Sequence, residues 1–279
     1  MLQAVREALG ANFCVRRGEC SAHPALAQTQ RRARLTFTGA LLGTQAEELL
    51  LSALDIDKSQ EGAPSTKVEE ASTLLTLSEM LRGSVSACQV PRDRRQFALR
   101  GIKYSFESFA ISQAALRTAG AHAKASKDAL NARRAACAKA LHLLGYHCAE
   151  FASGTHATGY FEQATIALSH SQEIFKELED DEMTATTLQD LGLCYYYQHR
   201  YKEAMALYTS AMRVIIDKLG PCHVALACPA FNIANIMCAA GTYDRAIDFY
   251  RIAWSINVQA LGQVKKLRAL TLLPARQNS

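Results

Sequence analysis

From about residue 46 onward, apolar side chains recur every three or four positions, the spacing of one face of an α-helix. A first such segment covers Ala46 to Ile56 and ends in the polar stretch Asp57 to Ser65, which contains Gly62 and Pro64. A second runs from about Thr66 to Leu81, with Val68, Ala71, Leu74, Leu75, Leu77 and Leu81 on one stripe. Gly83 and Pro91 bracket an expected break. Beyond Arg92 the chain reads as helix after helix, with connections near Gly120, Ser153–Gly159, Asp180–Asp181, His199 and Gly241. No run of alternating β-branched residues lies between Pro91 and Ser279, so the expected fold class is all-α.

The pattern also repeats at long range. Leu188-x-x-Leu191-Gly192-x-x-Tyr195 is followed by Tyr201-x-x-Ala204-x-x-x-Tyr208-x-x-Ala211 and then Leu219-Gly220. Forty-two residues later come Ala230-x-x-Ile233-Ala234-x-x-Met237, then Tyr243-x-x-Ala246-x-x-x-Tyr250-x-x-Ala253, then Leu261-Gly262. An earlier copy reads Cys148-x-x-Phe151-Ala152 and Gly159-x-Phe161-x-x-Ala164-x-x-x-Leu168, at a spacing of 40 from Ala164 to Ala204. A faint fourth centres on Gly120-x-His122-x-x-Ala125.

These residue types have a mechanical role. Two helices of a hairpin approach closely only where small residues face each other, and aromatic rings fill the space beside them. Gly192 and Ala234 are the expected notch on the first helix of each pair. Ala204 with Ala211, and Ala246 with Ala253, are the notch on the second. Tyr201 and Tyr243 stand at the turn, and Tyr208 and Tyr250 plug the space between the helices. One hairpin cannot bury its own apolar stripe, so the expected architecture is an α-solenoid of stacked antiparallel helix pairs.

On these residues the chain resembles the tetratricopeptide repeat proteins, clearly over about 140–262 and more faintly over 92–139. The repeat is longer than the usual ~34 residues, and Lys218-Leu219-Gly220-Pro221-Cys222-His223 stands between units. A long repeat with Leu-Gly-Pro-x-His in its linker is similar to the kinesin light chain and nephrocystin group. Leu188 and Ala230 occupy the place of the family's usual Trp. The resemblance implies a superhelical array with a concave groove that holds a peptide or helix of another protein.

Composition narrows the setting. The chain has 279 residues, 49% hydrophobic and 20% charged, with only 15 Gly and 6 Pro. Such a chain can bury a core and is neither a disordered polymer nor a linker. No stretch reaches about 18 uninterrupted apolar residues, so a membrane span is not expected. Residues 1–140 carry 20 Lys+Arg against 13 Asp+Glu, and residues 141–279 carry 11 against 13. Residues 1–40 hold Arg6, Arg16, Arg17, Arg31, Arg32 and Arg34 against Glu7 and Glu19. That bias also describes mitochondrial presequences, but Glu7 interrupts the helical stretch, so a basic leader without fixed structure is the expectation. Nine scattered cysteines in Ala-rich helical settings, Cys137 among them, suit small buried hydrophobes in a reducing compartment. The expected location is the cytoplasm.

Catalytic and metal chemistry finds no support in the motifs. Gly154-Thr-His-Ala-Thr-Gly159 has two glycines at phosphate-loop spacing, but Tyr160 replaces the required Lys. His142, His147 and Cys148 share one helix, and Cys222, His223 and Cys228 cluster near Pro221, yet neither set has zinc-ligand spacing. Both are expected to be packing or surface residues. The acidic run Glu177, Glu179, Asp180, Asp181 and Glu182 is expected to favour a helix N-terminus. The chain is therefore read as a non-enzyme with no cofactor, no metal and no small-molecule substrate.

The functional expectation is a protein–protein interaction adaptor or scaffold. Its organisation is a basic leader (1–40), a helical N-terminal segment (41–91), a repeat array (92–262, clearest over 141–262) and a C-terminal cap or tail (263–279). As the resemblance implies, first-helix positions offset from the notch line the groove. They are Thr186, Gln189, Leu193 and Tyr196, then Cys228, Phe231, Asn235 and Cys238, and before them Tyr146, Ala149, Ser153 and His156. Asn235 stands where related repeats place an Asn that bonds a bound peptide. These positions carry no Lys or Arg, which argues against a carboxylate clamp. A kinesin-light-chain-like motor adaptor would need a long heptad segment, and residues 66–82 give barely two heptads. Nucleic-acid binding by the basic front half would rest on Arg92, Arg94, Arg95, Arg100, Lys103 and Tyr104. At the C-terminal end, residues 265–273 are expected to dock as a short cap against the helix containing Trp254.

Overall fold

A computed structural model describes residues 50–52, 64–121, 126–155 and 157–272, with the side chains of 64–66, 120–121 and 261–272 excepted. The N-terminal leader lies outside these residues. The described residues are almost entirely helical and contain no strand. The chain divides into two units, residues 1–155 and 156–279. The boundary falls within the earliest clear repeat copy rather than at residue 92.

The first unit contains α1 (Pro64–Ala87), α2 (Pro91–Ala121) and α3 (Lys127–Thr155). Proline opens α1 and α2, where its fixed φ suits a helix start and its missing N–H costs nothing. The break expected between Gly83 and Pro91 falls at residues 88–90: α1 runs on past Gly83 to Ala87, anchored by the fully buried Val85. Side-chain bonds fix the helix directions. Ser108 Oγ donates to the Ala71 carbonyl at 2.8 Å and Ser78 Oγ to that of Gly101 at 3.4 Å, which makes α1 and α2 antiparallel. Arg94 near the start of α2 pairs with Glu150 near the end of α3 at 2.6 Å, and Arg133 donates to the Ala115 carbonyl at 2.7 Å. The unit is thus an up-down-up bundle of helices of 24, 31 and 29 residues. All three are longer than α4 to α6 of the second unit, at 17–20 residues; of the faint fourth copy, His122 and Ala125 lie outside the described residues.

The second unit carries the repeats: α4 (Thr158–Glu177), α5 (Asp181–Tyr197), α6 (Tyr201–Lys218), a 3-10 turn (Val224–Leu226), α7 (Ala227–Ala239) and α8 (Tyr243–Leu272). Three links of three residues each close in the same way. Glu179, His199 and Gly241 adopt φ of 57°, 58° and 73°. The next N–H in each link, on Asp180, Arg200 and Thr242, reaches back five residues to a carbonyl at 3.0, 3.0 and 2.9 Å. This left-handed closure satisfies the last helical carbonyls. Asp180 also caps α5, its carboxylate accepting the Met183 N–H at 3.0 Å, which is the role expected of the acidic run.

The notch residues pack as their types dictate. Ala164, Ala204 and Ala246 are fully buried on α4, α6 and α8. A Cβ on Gly192 would lie 2.8 Å from Tyr208 Cε1, so only glycine lets that ring lie flat on α5. Ile233 and Ile236 of α7 are buried in one cluster with Ala204 and Tyr208 of α6. Tyr201, Met205 and Met212 pack against that cluster, so α7 covers one face of α6.

The separate C-terminal cap is overturned. Helix α8 continues without interruption through Leu272, so residues 265–272 lie on the same helix as Trp254 and cannot dock against it. Residue 273 lies outside the described residues. The two Leu-Gly pairs differ in the residue after the glycine. Leu219-Gly220 precedes Pro221, and Gly220 adopts φ 100° and ends α6. Leu261-Gly262 precedes Gln263, which has the N–H a helix needs, and the helix runs on.

Candidate functional site

Helix α7 and the start of α8 bring together a set of aromatic and amide groups at the second unit's last hairpin. The Tyr250 hydroxyl of α8 donates to Asn235 Oδ1 of α7 at 2.6 Å. The Phe231 and Tyr250 rings stand 5.4 Å apart with an interplanar angle of 59°, while Phe231 remains 50% exposed. Burial pushes the Tyr250 phenol above its usual range, and Cys238, as a hydrogen-bonding neighbour, and Tyr196 push it further. Tyr250 is therefore the hub of a patch that includes Phe231, Asn235, Cys238 and Tyr196. The sequence assigns Tyr250 only a packing role. Its hub position was legible in its spacing, since it stands opposite the Phe231–Asn235 turn.

Tyr196 is half-buried, with its ring 5.6 Å from Tyr201 and 6.0 Å from Tyr197. Thr186 and Leu193 are half-buried, and Cys228 is exposed. Two of the five principal groove positions are corrected. Gln189 is buried, in a helix that packs against α4, α6 and α7. Tyr146 is buried in the first unit, where its hydroxyl lies 3.0 Å from Ser86 Oγ and the Arg82 guanidinium covers its ring at 4.5 Å. It is a core residue there, because α3 turns that face towards α1. Ala149 is buried beside it in sequence, and Ser153 bonds the Glu150 carbonyl at 2.8 Å. His156 lies outside the described residues.

Of the structural signature, Gly192, Ala204, Tyr208, Ala211, Ala234, Ala246 and Ala253 are all buried. Tyr201 and Tyr243 begin α6 and α8, at the turns. The Tyr208 hydroxyl is buried and meets no hydrogen-bond partner among the described residues. Burial pushes its phenol far above the ordinary tyrosine range. An unfolded tyrosine ionises near pH 10, whereas the folded one keeps its proton, so stability falls as pH rises beyond about 10. Tyr208→Phe is expected to be neutral or to stabilise by up to about 1 kcal/mol at pH 7 and to lessen the alkaline loss. Thermal melts of both proteins from pH 7 to 11 check this, and identical alkaline slopes would contradict it.

In the clusters considered for metal chemistry, His142, His147 and Cys148 are buried, whereas Cys222 and Cys228 are exposed. The His147 ring is fully buried, with Nε2 3.1 Å from the Ser78 carbonyl. His142 is buried, 3.3 Å from Arg82 Nη1. His223 caps the 3-10 turn by accepting the Ala225 N–H at 3.3 Å. No three His, Cys, Asp or Glu side chains among the described residues are arranged to hold a metal ion. No helix among them is long and apolar enough to cross a membrane. Two members of the basic set are committed elsewhere: Arg94 binds the buried Glu150 carboxylate, and Tyr104 packs against the Leu50, Leu74 and Leu77 cluster. A cavity of about 280 Å³ in the first unit, between α1, α2 and α3, contains none of the expected groove residues.

Comparison with known proteins places this geometry. Residues 148–217 match the family model described as tetratricopeptide repeat. No curated protein matches the sequence. Among solved structures, a kinesin light chain candidate from Podosopora anserina with nearly identical TPR-like repeats is similar at 15% identity and TM-score 0.52, covering 86% of this chain and 99% of its own. A single-substitution variant of that protein gives 15% identity and TM-score 0.54 with the same coverage. BtubC (BKLC) from P. vanneervenii is similar at 16% identity and TM-score 0.56, covering 86% of this chain and 82% of its own. At these identities the likeness is one of fold, and it agrees with the long repeat and the Leu219-Gly220-Pro221-x-His223 linker. Residues 148–217 thus carry tetratricopeptide repeats, and the all-α solenoid fold of the chain resembles that of the kinesin light chain TPR-like repeats.

Proposed function

We propose that this chain is an adaptor that binds a peptide or helix of another protein at the Tyr196–Phe231–Asn235 face of its second unit. The repeat fold and its likeness to kinesin-light-chain-type repeats support a protein-interaction role. One observation carries the finer reading: Phe231 keeps half its surface exposed while its ring is held against Tyr250. Such a ring is pre-set, so a ligand gains apolar contact without the entropic cost of ordering it. The Tyr250 bond to Asn235 Oδ1 fixes the amide and leaves its NH₂ to donate to a ligand carbonyl. The surroundings are neutral, with Cys238 and Leu193 among the expected groove positions, and suit an uncharged or apolar segment. Cys137, Cys148 and Cys194 are buried, a setting that suits thiols of a reducing compartment such as the cytoplasm.

The test is affinity for a partner captured with the full chain. Losing a central aromatic contact costs more than about 2 kcal/mol, roughly a thirtyfold loss of affinity. Phe231→Ala is expected to lose at least that much and Asn235→Ala somewhat less, both with unchanged helical circular dichroism. If both variants unfold, these are core residues and the face is misassigned. If both stay folded and bind normally, recognition lies elsewhere.

A further inference from the structure

Helix α6 shows what its counterpart α8 lacks. On α6, the stripe Tyr201, Met205, Tyr208 and Met212 packs with the buried Ile233 and Ile236 of α7, and Met237 adds to the same cluster. Tyr208 is fully buried there, and none of the other three is exposed. Forty-two residues on, the same positions of α8 are Tyr243, Ile247, Tyr250 and Trp254. Tyr243, Ile247 and Trp254 are 64%, 47% and 70% exposed. Ile216 and its counterpart Val258, off the stripe, are both exposed, at 43% and 45%, whereas Ile215, fully buried against Leu226 and Ala227, is matched by the exposed Asn257. The loss of cover therefore follows the residues that α7 and the turn before it cover on α6.

We infer that the Tyr243–Ile247–Trp254 stripe of α8 is a docking surface for a helix of another protein. That helix would carry large aliphatic residues at i, i+3 and i+4. Its chemistry is read from α7, where Ile233, Ile236 and Met237 hold those places. Residues 263–272 of this chain do not serve, because they continue α8 itself. The stripe is continuous through Tyr250 with the Phe231 patch, but it lies along α8 rather than α7. It stands or falls separately from the groove reading, since neither Ile247 nor Trp254 belongs to the groove.

The chain has a single tryptophan, Trp254, so its fluorescence reports the stripe directly. The probe is a synthetic peptide of residues 224–240, which contains no tryptophan. Added to the full-length protein, it is expected to shift Trp254 emission to shorter wavelength in a saturable way. Ile247→Glu should weaken that response at least tenfold. Ile252→Glu, also an exposed α8 position but on the opposite side of the helix from the stripe, should leave it unchanged. A peptide with Ile233→Asp and Ile236→Asp should give no shift. The inference is overturned if the native peptide gives no saturable shift or if Ile247→Glu responds like wild type. It is also overturned if emission of the protein alone shifts with its own concentration, which would assign the stripe to a second copy.

Discussion

Gly101→Ala is expected to destabilise the first unit by about 2 kcal/mol, even though alanine is the better helix former by about 1 kcal/mol. A Cβ at this position of α2 would lie 2.5 Å from Cδ2 and Nδ1 of the fully buried His147 ring. The ring cannot swing away cheaply, because its Nε2 lies 3.1 Å from the Ser78 carbonyl of α1. The Gly101 carbonyl is itself engaged, accepting from Ser105 Oγ at 2.6 Å. Three helices therefore meet at one point, with an imidazole on bare backbone. Combining Gly101→Ala with His147→Ala separates crowding from helix propensity. With the ring removed, the added methyl is expected to be neutral or favourable. An equal loss in both backgrounds, measured by denaturant titration, would show that the close approach is not what matters.

Ala204→Leu is expected to lower the stability of the second unit by about 1–3 kcal/mol. Ala204 is fully buried in the cluster that joins α6 to Ile233 and Ile236 of α7, so three extra carbons must push adjacent repeats apart. Lys202→Ala, two residues away on the exposed face, should change stability by no more than about 0.5 kcal/mol. Equal effects of the two changes would rule out the repeat register.

That register was the most legible part of the sequence. Tyr201, Ala204, Tyr208 and Ala211 recur as Tyr243, Ala246, Tyr250 and Ala253 because the close packing of each hairpin tolerates few side-chain sizes. The alanines buried at one copy are buried at the other. The first unit was harder to read. Its helices are tied by Ser78, Ser105, Ser108 and His147, polar residues whose bonds have no period in the sequence. Tyr146 was misplaced for the same reason: its spacing mimics a repeat position, but its burial comes from α1, outside the repeat. The expected cap over 265–273 rested on the register of Leu261-Gly262 with Leu219-Gly220, but Pro221 helps end the earlier helix and no proline comes directly after Gly262. Within the face itself, Phe231 and Asn235 are set by spacing alone. Burial of Gln189, Phe231's counterpart one repeat earlier, depends on the stacking of the next repeat on α5.

The central claim, recognition of another protein by the Phe231 face, is tested most directly by crosslinking from that position. A benzophenone amino acid placed at 231 in the full-length chain is photoactivated in a cell extract beside a control chain carrying it at Ile216, an equally accessible site on α6. Discrete protein adducts are expected from position 231 that disappear when excess unlabelled wild-type chain competes and persist when the competitor is Asn235→Ala. The same adducts from both positions, or adducts from 231 that neither competitor removes, would contradict the claim.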